Sequence, residues 1–376
     1  MDIIPVLRPL LPKTAKLAPY LEQIDANRYY SNGGPLLQAF EKRLAAHFGV
    51  DPATLATSAN GTLALVQTLR AMGAEKGTLC ALPSWTFAAT PAAAMAAGLT
   101  PFFMDVDPAT WELRPDTVRA LLKKHKIGAV MPVAPFGAPI DLKAWEDFAV
   151  ETKIPVLIDA AASFDSQSRL PPSKIPVMVS LHATKALGIG EGAVVLAGDP
   201  LVARQIRMHG NFGFDGTREA LLPGINAKMN EYSAAIGLAA LDEWDVTRED
   251  WRKLSDSFES RAESLPSVSC MPDFNRAWVS SYGLVVLNAP CDLARLQAGL
   301  KKRGVGTVAW WGEGCHMQEA YASCPRAALP VTEELGRSVL GLPFWRGLSD
   351  AQMDHVFAAL AALLAEERTA ATKASS

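Results

Sequence analysis

The chain has no apolar run long enough to cross a membrane. Its longest apolar region, Ala88 to Met104, is alanine-rich and broken by Pro91, Gly98 and Pro101, whereas a span needs roughly 20 apolar residues in a row. Cysteine is scarce and unpatterned. Cys80, Cys270, Cys291, Cys315 and Cys324 form no CxxC pair and are odd in number, which points to reduced thiols rather than a disulfide frame. Cys315 and His316 are adjacent, but no second pair matches them, which argues against a structural metal site. Neither sign of charge prevails. The 36 Lys and Arg stand against 39 Asp and Glu, for a net charge of −3, and no half of the chain is strongly basic, so nucleic acid is not expected as the main partner. The N-terminus carries Asp2 and Pro5 and lacks a basic start with an apolar core, so no signal peptide is expected and the cytoplasm is the default compartment. There is no internal repeat and no low-complexity linker.

What is present is ample core. Of 376 residues, 49% are hydrophobic and 20% charged, and that length suggests one large domain with a smaller one. From about residue 50 to 200, short apolar runs alternate with helical patterns. Thr78–Pro83, Pro101–Asp105, Gly128–Val133, Ile154–Asp159, Pro176–Leu181 and Gly192–Ala197 read as strands, apolar throughout and therefore buried on both faces, as in a mainly parallel sheet. Helices are expected over Pro115–Lys124 and Leu142–Thr152, which together make a three-layer α/β sheet. A long helix is expected over Asn230–Asp245, and a bridging helix over Glu249–Ala262. Beyond about Ser267 the pattern changes to a smaller α+β unit: a strand over Trp278–Asn288, a helix over Asp292–Arg303, a strand over Val305–Trp310 and a closing helix over Ser349–Glu366, with a frayed tail from Arg368 to Ser376. The division expected is 1–248 for the large domain with its N-terminal arm and 249–376 for the small one.

Two residues carry most of the chemical signal. Asp159 ends one buried strand, and 26 residues later Lys185 sits in the loop after the next. Ligands in such sheets bind at the carboxyl ends of strands. A carboxylate there could keep a pyridine nitrogen protonated, and a lysine could hold an aldehyde as an imine and later move protons, which is what pyridoxal phosphate (PLP) chemistry requires. Strand-end aspartates and loop lysines are common in α/β proteins, so the pair alone does not decide. Ser58–Thr62 precedes a helix with Leu65, Leu69 and Met72 on one face and Gly73 at its end. Small polar residues at a helix start leave N–H groups free for a phosphate, although Asn60 could equally be a plain cap. Ser180 could add a hydroxyl. Trp85 and Phe87 could stack on a flat ring or pack in the core. His182 could be an acid/base group or a structural histidine.

Taken in order along nearly the whole chain, these segments resemble the DegT/DnrJ/StrS family of sugar aminotransferases, PLP enzymes of fold type I. The matching stretches are Ser31–Pro35 with Phe40 and Glu41, Ala59–Leu65, Trp85–Thr90, Gly98–Asp107, Pro132–Gly137, Asp159–Ala161, Ser180–Lys185 with Gly190–Gly192, Asn226–Glu231, and Leu329–Glu333 with Leu342 and Pro343. The resemblance implies an aspartate-aminotransferase-like three-layer αβα large domain with a smaller α+β C-terminal domain. It implies that Lys185 binds the PLP aldehyde and shuttles the proton, and that Asp159 pairs with the pyridinium nitrogen. Gly61, Thr62 and Ser180 would hold the phosphate, and Phe87, rather than Trp85, would stack on the ring. Asn226 would reach the phosphate bound by a neighbouring subunit, which makes the active site shared across a homodimer. The implied substrates are a nucleotide-linked keto-sugar and an amino-acid donor, L-glutamate by family habit. Three positions depart from the family: Ala162 where Gln or His is usual, Ala134 where His is frequent, and Lys228 where Arg is frequent. Trp310 and Trp311 fall where members vary. Relatives with His in place of the lysine catalyse dehydration, so Lys185 favours amination; a PLP-dependent lyase and a PLP-binding regulator stay open as alternatives.

Overall fold

The computed structural model describes residues 3–289 and 291–374, with side chains as far as residue 367. Seven short strands build the main sheet: β1 (Leu55–Ser58), β2 (Leu79–Pro83), β3 (Thr100–Met104), β4 (Ile127–Val130), β5 (Ile158–Asp159), β6 (Val177–Ser180) and β7 (Ala193–Leu196). They pair in the orders β1-β7-β6-β5 and β3-β2-β4. Parallel bridges Val130–Val156 and Val133–Asp159 join β4 to β5 and make one sheet of the two. Its centre is parallel, but β7 runs antiparallel to both β6 and β1.

The apolar runs are buried on both faces because the sheet has a core on each side. Side chains alternate across a strand. Val177 and Val179 therefore join a core with Phe40, Leu44 and Phe164, while Met178 joins the other with Leu65, Leu69 and Ile206. Helices Gly61–Ala71, Ala89–Ala96 and Pro200–His209 cover that second face; Pro35–Phe48, Leu142–Thr152 and Glu231–Asp242 cover the first. The result is the three-layer arrangement expected from the alternation. Leu65 and Leu69 are fully buried, and truncating either to alanine should cost about 2–5 kcal/mol.

The helix Gly61–Ala71 starts where Asn60 turns extended (φ −163°, ψ 171°) and its side-chain oxygen accepts the Leu63 N–H at 2.9 Å. It stops at Gly73, which adopts φ +72°, a left-handed conformation that costs glycine little. The helix Glu231–Asp242 is capped in the same way, Asn230 accepting from Ser233 N at 2.8 Å. Its first residue, Glu231, is only 2% exposed. The two Glu231 carboxylate oxygens accept the N–H groups of Leu36 (2.8 Å) and Leu37 (2.9 Å), at the start of the helix Pro35–Phe48. A carboxylate at a helix N-terminus meets both the free donors and the dipole.

The C-terminal part holds a three-stranded antiparallel sheet in the order β10-β9-β8, made of β8 (Val268–Cys270), β9 (Gly283–Leu287) and β10 (Val339–Leu342). Helices Leu293–Lys302 and Asp350–Ala374 accompany it. Several boundaries differ from the sequence reading, each for a local reason. The run 278–288 pairs only from Gly283, because Asp165 Oδ2 takes the Val279 N–H (2.9 Å) and Ser280 Oγ takes the Tyr282 N–H (3.0 Å). The segment 305–310 is not a ladder. Val305 bridges Ile4 and Val308 bridges Gly341, so its hydrogen bonds are divided between the N-terminal arm and β10. The long helix breaks at Glu243, and the bridging helix runs Trp244–Glu263, unbroken across residues 248 and 249. The closing helix continues to Ala374, past the expected start of the frayed tail; residues 375 and 376 lie outside the described residues.

Candidate active site

The carboxyl ends of β5 and β6 stand side by side, with Asp159 in register with Met178, and the chain leaves both toward one cleft of about 780 Å³. Asp159 is 4% exposed. Its Oδ2 accepts from Thr90 Oγ1 at 2.8 Å, its Oδ1 accepts from Ala161 N at 3.3 Å, and Thr90 is in turn 2.7 Å from Thr86 Oγ1. Burial pushes the Asp159 carboxyl above its ordinary value, against the Thr90 hydrogen bond and the Lys185 charge, which pull it down.

After β6 the loop is tied to the turn before β7. Leu181 N bonds Gly192 O (2.9 Å) and Ala183 N bonds Gly190 O (2.8 Å), while Lys185 N closes a turn on His182 O (2.9 Å). Those bonds aim Lys185 into the cleft, where its Nζ donates to the Tyr282 hydroxyl at 2.6 Å. Ser180 Oγ, also on the wall, accepts from His182 N at 3.2 Å. His182 Nδ1 accepts from Thr184 N (3.3 Å) and lies 2.9 Å from Thr184 Oγ1. Its Nε2 faces Glu191 at 3.7 Å.

Opposite the lysine, Asn60, Gly61 and Thr62 bring the start of the helix Gly61–Ala71 to the wall. A Cβ built on Gly61 would lie 3.4 Å from Met178 Sδ and 3.6 Å from Ser180 Cβ, in the space between that helix start and the end of β6. Phe87 also lines the cleft and is 61% exposed, whereas Trp85 is buried edge-on to Trp111 and Trp311. The remaining wall is aromatic. Trp311 stacks on Phe136 at 3.8 Å, and Trp310 meets Tyr282 edge-on at 5.2 Å. Ala134 and Ala162 line it without a polar side-chain group, and Lys185 is the only Lys or Arg among the described lining residues.

Asp159, Lys185, Gly61, Thr62, Phe87 and Ser180 thus line one cleft. Asn226 does not join them. It is exposed, its backbone bridges Asn211, and the next residue's carbonyl accepts Ala59 N at 2.7 Å, so it stands outside the cleft of its own chain. Lys228, two residues on, has its Nζ 4.6 Å over the Phe212 ring. The sequence reading missed Thr90 and Tyr282. Thr90 closes the Trp85–Thr90 stretch, which is the signal that could have found it; Tyr282 carries no sequence signal. Among the described residues no group of three or more His, Cys, Asp or Glu could hold a metal ion.

A three-layer sheet with a lysine and a carboxylate facing a helix start at its strand ends is an aminotransferase architecture, and solved structures agree. The chain superposes on DesI, crystallised in the presence of its TDP-sugar product, with a TM-score of 0.89 at 32% identity, over 100% of this chain and 96% of that one. Residues 13–361 match the model of the DegT/DnrJ/EryC1/StrS aminotransferase family, and the chain belongs to that family. Among curated proteins it is 34% identical over 266 residues to protein Rv3402c of Mycobacterium tuberculosis, covering 68% of this chain but only 64% of the relative's length. It is 27% identical over 361 residues to the dTDP-4-amino-4,6-dideoxy-D-glucose transaminase of Escherichia coli, covering 92% and 95%.

Proposed function

We propose that the protein is a PLP-dependent aminotransferase that moves an amino group from an amino acid onto a keto-sugar carried by a nucleotide. The observation that carries this reading is the convergence of Lys185, Asp159 and the Asn60–Thr62 helix start on one cleft. The sugar class is supported by the product in the DesI crystals and by the name of the E. coli relative.

The residues fit the cofactor. A carboxylate that burial holds high in spite of the Lys185 charge gains from a closer positive partner, and a protonated ring nitrogen is such a partner. The first N–H groups of a helix have no acceptor within it and suit a phosphate. Phe87 presents an exposed ring on the wall. Bound there, PLP supplies an aldehyde that takes up amines and a ring that withdraws electrons. Asp159 keeps the ring nitrogen protonated, with Thr90 fixing its orientation. Gly61, Thr62 and Ser180 hold the phosphate. Lys185 would hold the aldehyde, and its Nζ, when free, would be the base that takes a proton from the donor's α-carbon and the acid that returns it.

The donor we assign is L-glutamate. We further propose a homodimer in which Asn226 completes the partner's phosphate site, since Asn226 is exposed and off its own cleft. We keep the division into a cofactor-holding unit, 1–248, and a smaller C-terminal unit, 249–376, with the arm around Ile4 resting on the latter. The cytoplasm is the proposed compartment; among the described residues no helix is long and apolar enough to cross a membrane.

The test is the visible spectrum of the purified protein with PLP, before and after L-glutamate. Conversion of the lysine-bound band to that of the amine form is the expected result. A band that ignores amino acids would turn the reading toward a lyase, and no band at all would remove Lys185 as the anchor.

A further inference from the structure

Resting on that reading of Lys185, we infer that Tyr282 is a positioning residue which receives the lysine amine each time the cofactor releases it and holds it for proton transfer. Lys185 Nζ lies 2.6 Å from the Tyr282 hydroxyl and 5.1 Å from the centre of its ring. Among the described residues Tyr282 is the only hydrogen-bond partner of that nitrogen. The hydroxyl comes from a different part of the chain, 97 residues on, one residue before β9.

Tyr282 is itself held in place. It is 8% exposed, meets Trp310 edge-on at 5.2 Å and Phe136 at 5.4 Å, and its N–H bonds Ser280 Oγ, which donates to Phe136 O at 2.8 Å. A lysine stem has four rotatable carbons and wanders when free, and a reacting group that wanders loses the benefit of proximity.

A hydroxyl has an advantage over a carboxylate here. It accepts from the ammonium form and donates to the amine form, so one contact serves Nζ both before and after it takes the proton from carbon. A carboxylate would only accept and would hold the lysine protonated. The other ionisable groups on the cleft wall are engaged differently: Asp159 with Thr90 and Ala161, and His182 with Thr184 and, at 3.7 Å, Glu191. The proton that moves goes from the donor's α-carbon to Nζ and from Nζ to the cofactor's carbon.

The experiment compares Tyr282→Phe with the wild type. Phenylalanine keeps the ring against Trp310 and Phe136 and removes only the hydroxyl. Three quantities are read: the lysine-bound PLP band, the rate of the L-glutamate half-reaction with hydrogen or deuterium on the α-carbon, and the pH dependence of PLP capture by the apoprotein. The band should persist. The half-reaction should slow about tenfold, the order expected for one lost hydrogen bond, with a larger isotope effect because proton transfer then limits the rate. Capture should slow across the pH range, because Nζ loses the contact that holds it in place. A half-reaction within twofold of the wild type would overturn the inference. So would a slower one with unchanged isotope effect and capture profile, since the ring would then only be packing, and so would loss of PLP uptake, since the hydroxyl would then hold the cofactor. A wild type with no lysine-bound band would instead strike the function proposed above.

Discussion

The cleft has two unlike walls. One is made by strand ends and a helix start, and its groups are small and polar: Asn60, Gly61, Thr62, Thr86, Asp159, Ser180. The other is made by Phe136, Tyr282, Trp310 and Trp311, rings that pack on one another. The polar wall is carried by strand ends and a helix start, which the sheet holds in place. The aromatic wall is built from side chains drawn from distant segments, of which only Phe136 sits in a regular element, the 3-10 turn Pro135–Gly137. On the function proposed above, the first wall serves the shared chemistry, and on the second Tyr282 serves the lysine while the two tryptophans serve the choice of acceptor.

Substitutions can break that contrast. The largest effect is expected at Lys185→Ala, which should bind PLP without turning over; losses of about 10⁴-fold or more are usual when a proton-moving nucleophile is removed, and measurable transamination in this variant would refute the assignment. Next is Asp159→Asn, which leaves the ring nitrogen without its anion. We expect kcat to fall about 100- to 1000-fold, the scale of a lost buried electrostatic contact, as read in steady-state rates. Trp311→Ala should be milder and of a different kind. It should raise KM for the keto-sugar about tenfold, the scale of one lost aromatic contact, and leave the L-glutamate half-reaction untouched. Equal damage to both half-reactions would mean that the walls do not divide the work.

The smallest expected effect lies behind the aromatic wall. Glu112, beside Trp111, is pushed up from 4.5 to about 7, chiefly by burial. A raised carboxyl means that the folded state binds more protons than the unfolded one between those values. Stability from this group is therefore complete below about 4.5 and is lost as the pH rises through about 7. Glu112→Gln should flatten that part of the curve by about 2–4 °C in Tm, measured by thermal unfolding at pH 5 and pH 8.

The same contrast explains how much could be read from the sequence. The strands of the main sheet were legible because burial on both faces leaves an unbroken apolar run, and a strand end followed by a polar residue marks a ligand position. β1 escaped notice because Leu55–Ser58 is half polar, with Thr57 and Ser58, and runs almost at once into the Asn60 cap. β10 was missed because Gly341 interrupts it and Trp310 covers the glycine. The Lys185–Tyr282 and Asp159–Thr90 bonds span 97 and 69 residues. No periodicity encodes such a meeting; it exists only once the sheet has brought the segments together.

Glu231 also has a bearing on synthesis. Its bonds to Leu36 and Leu37 span 195 and 194 residues. At a translation rate of about 5–20 residues per second, the helix Pro35–Phe48 waits roughly 10–40 s on the ribosome before its clamp has even been made. A contact of that range cannot seed folding and must close late, so the first long helices to emerge take their final place only after most of the main sheet has been translated.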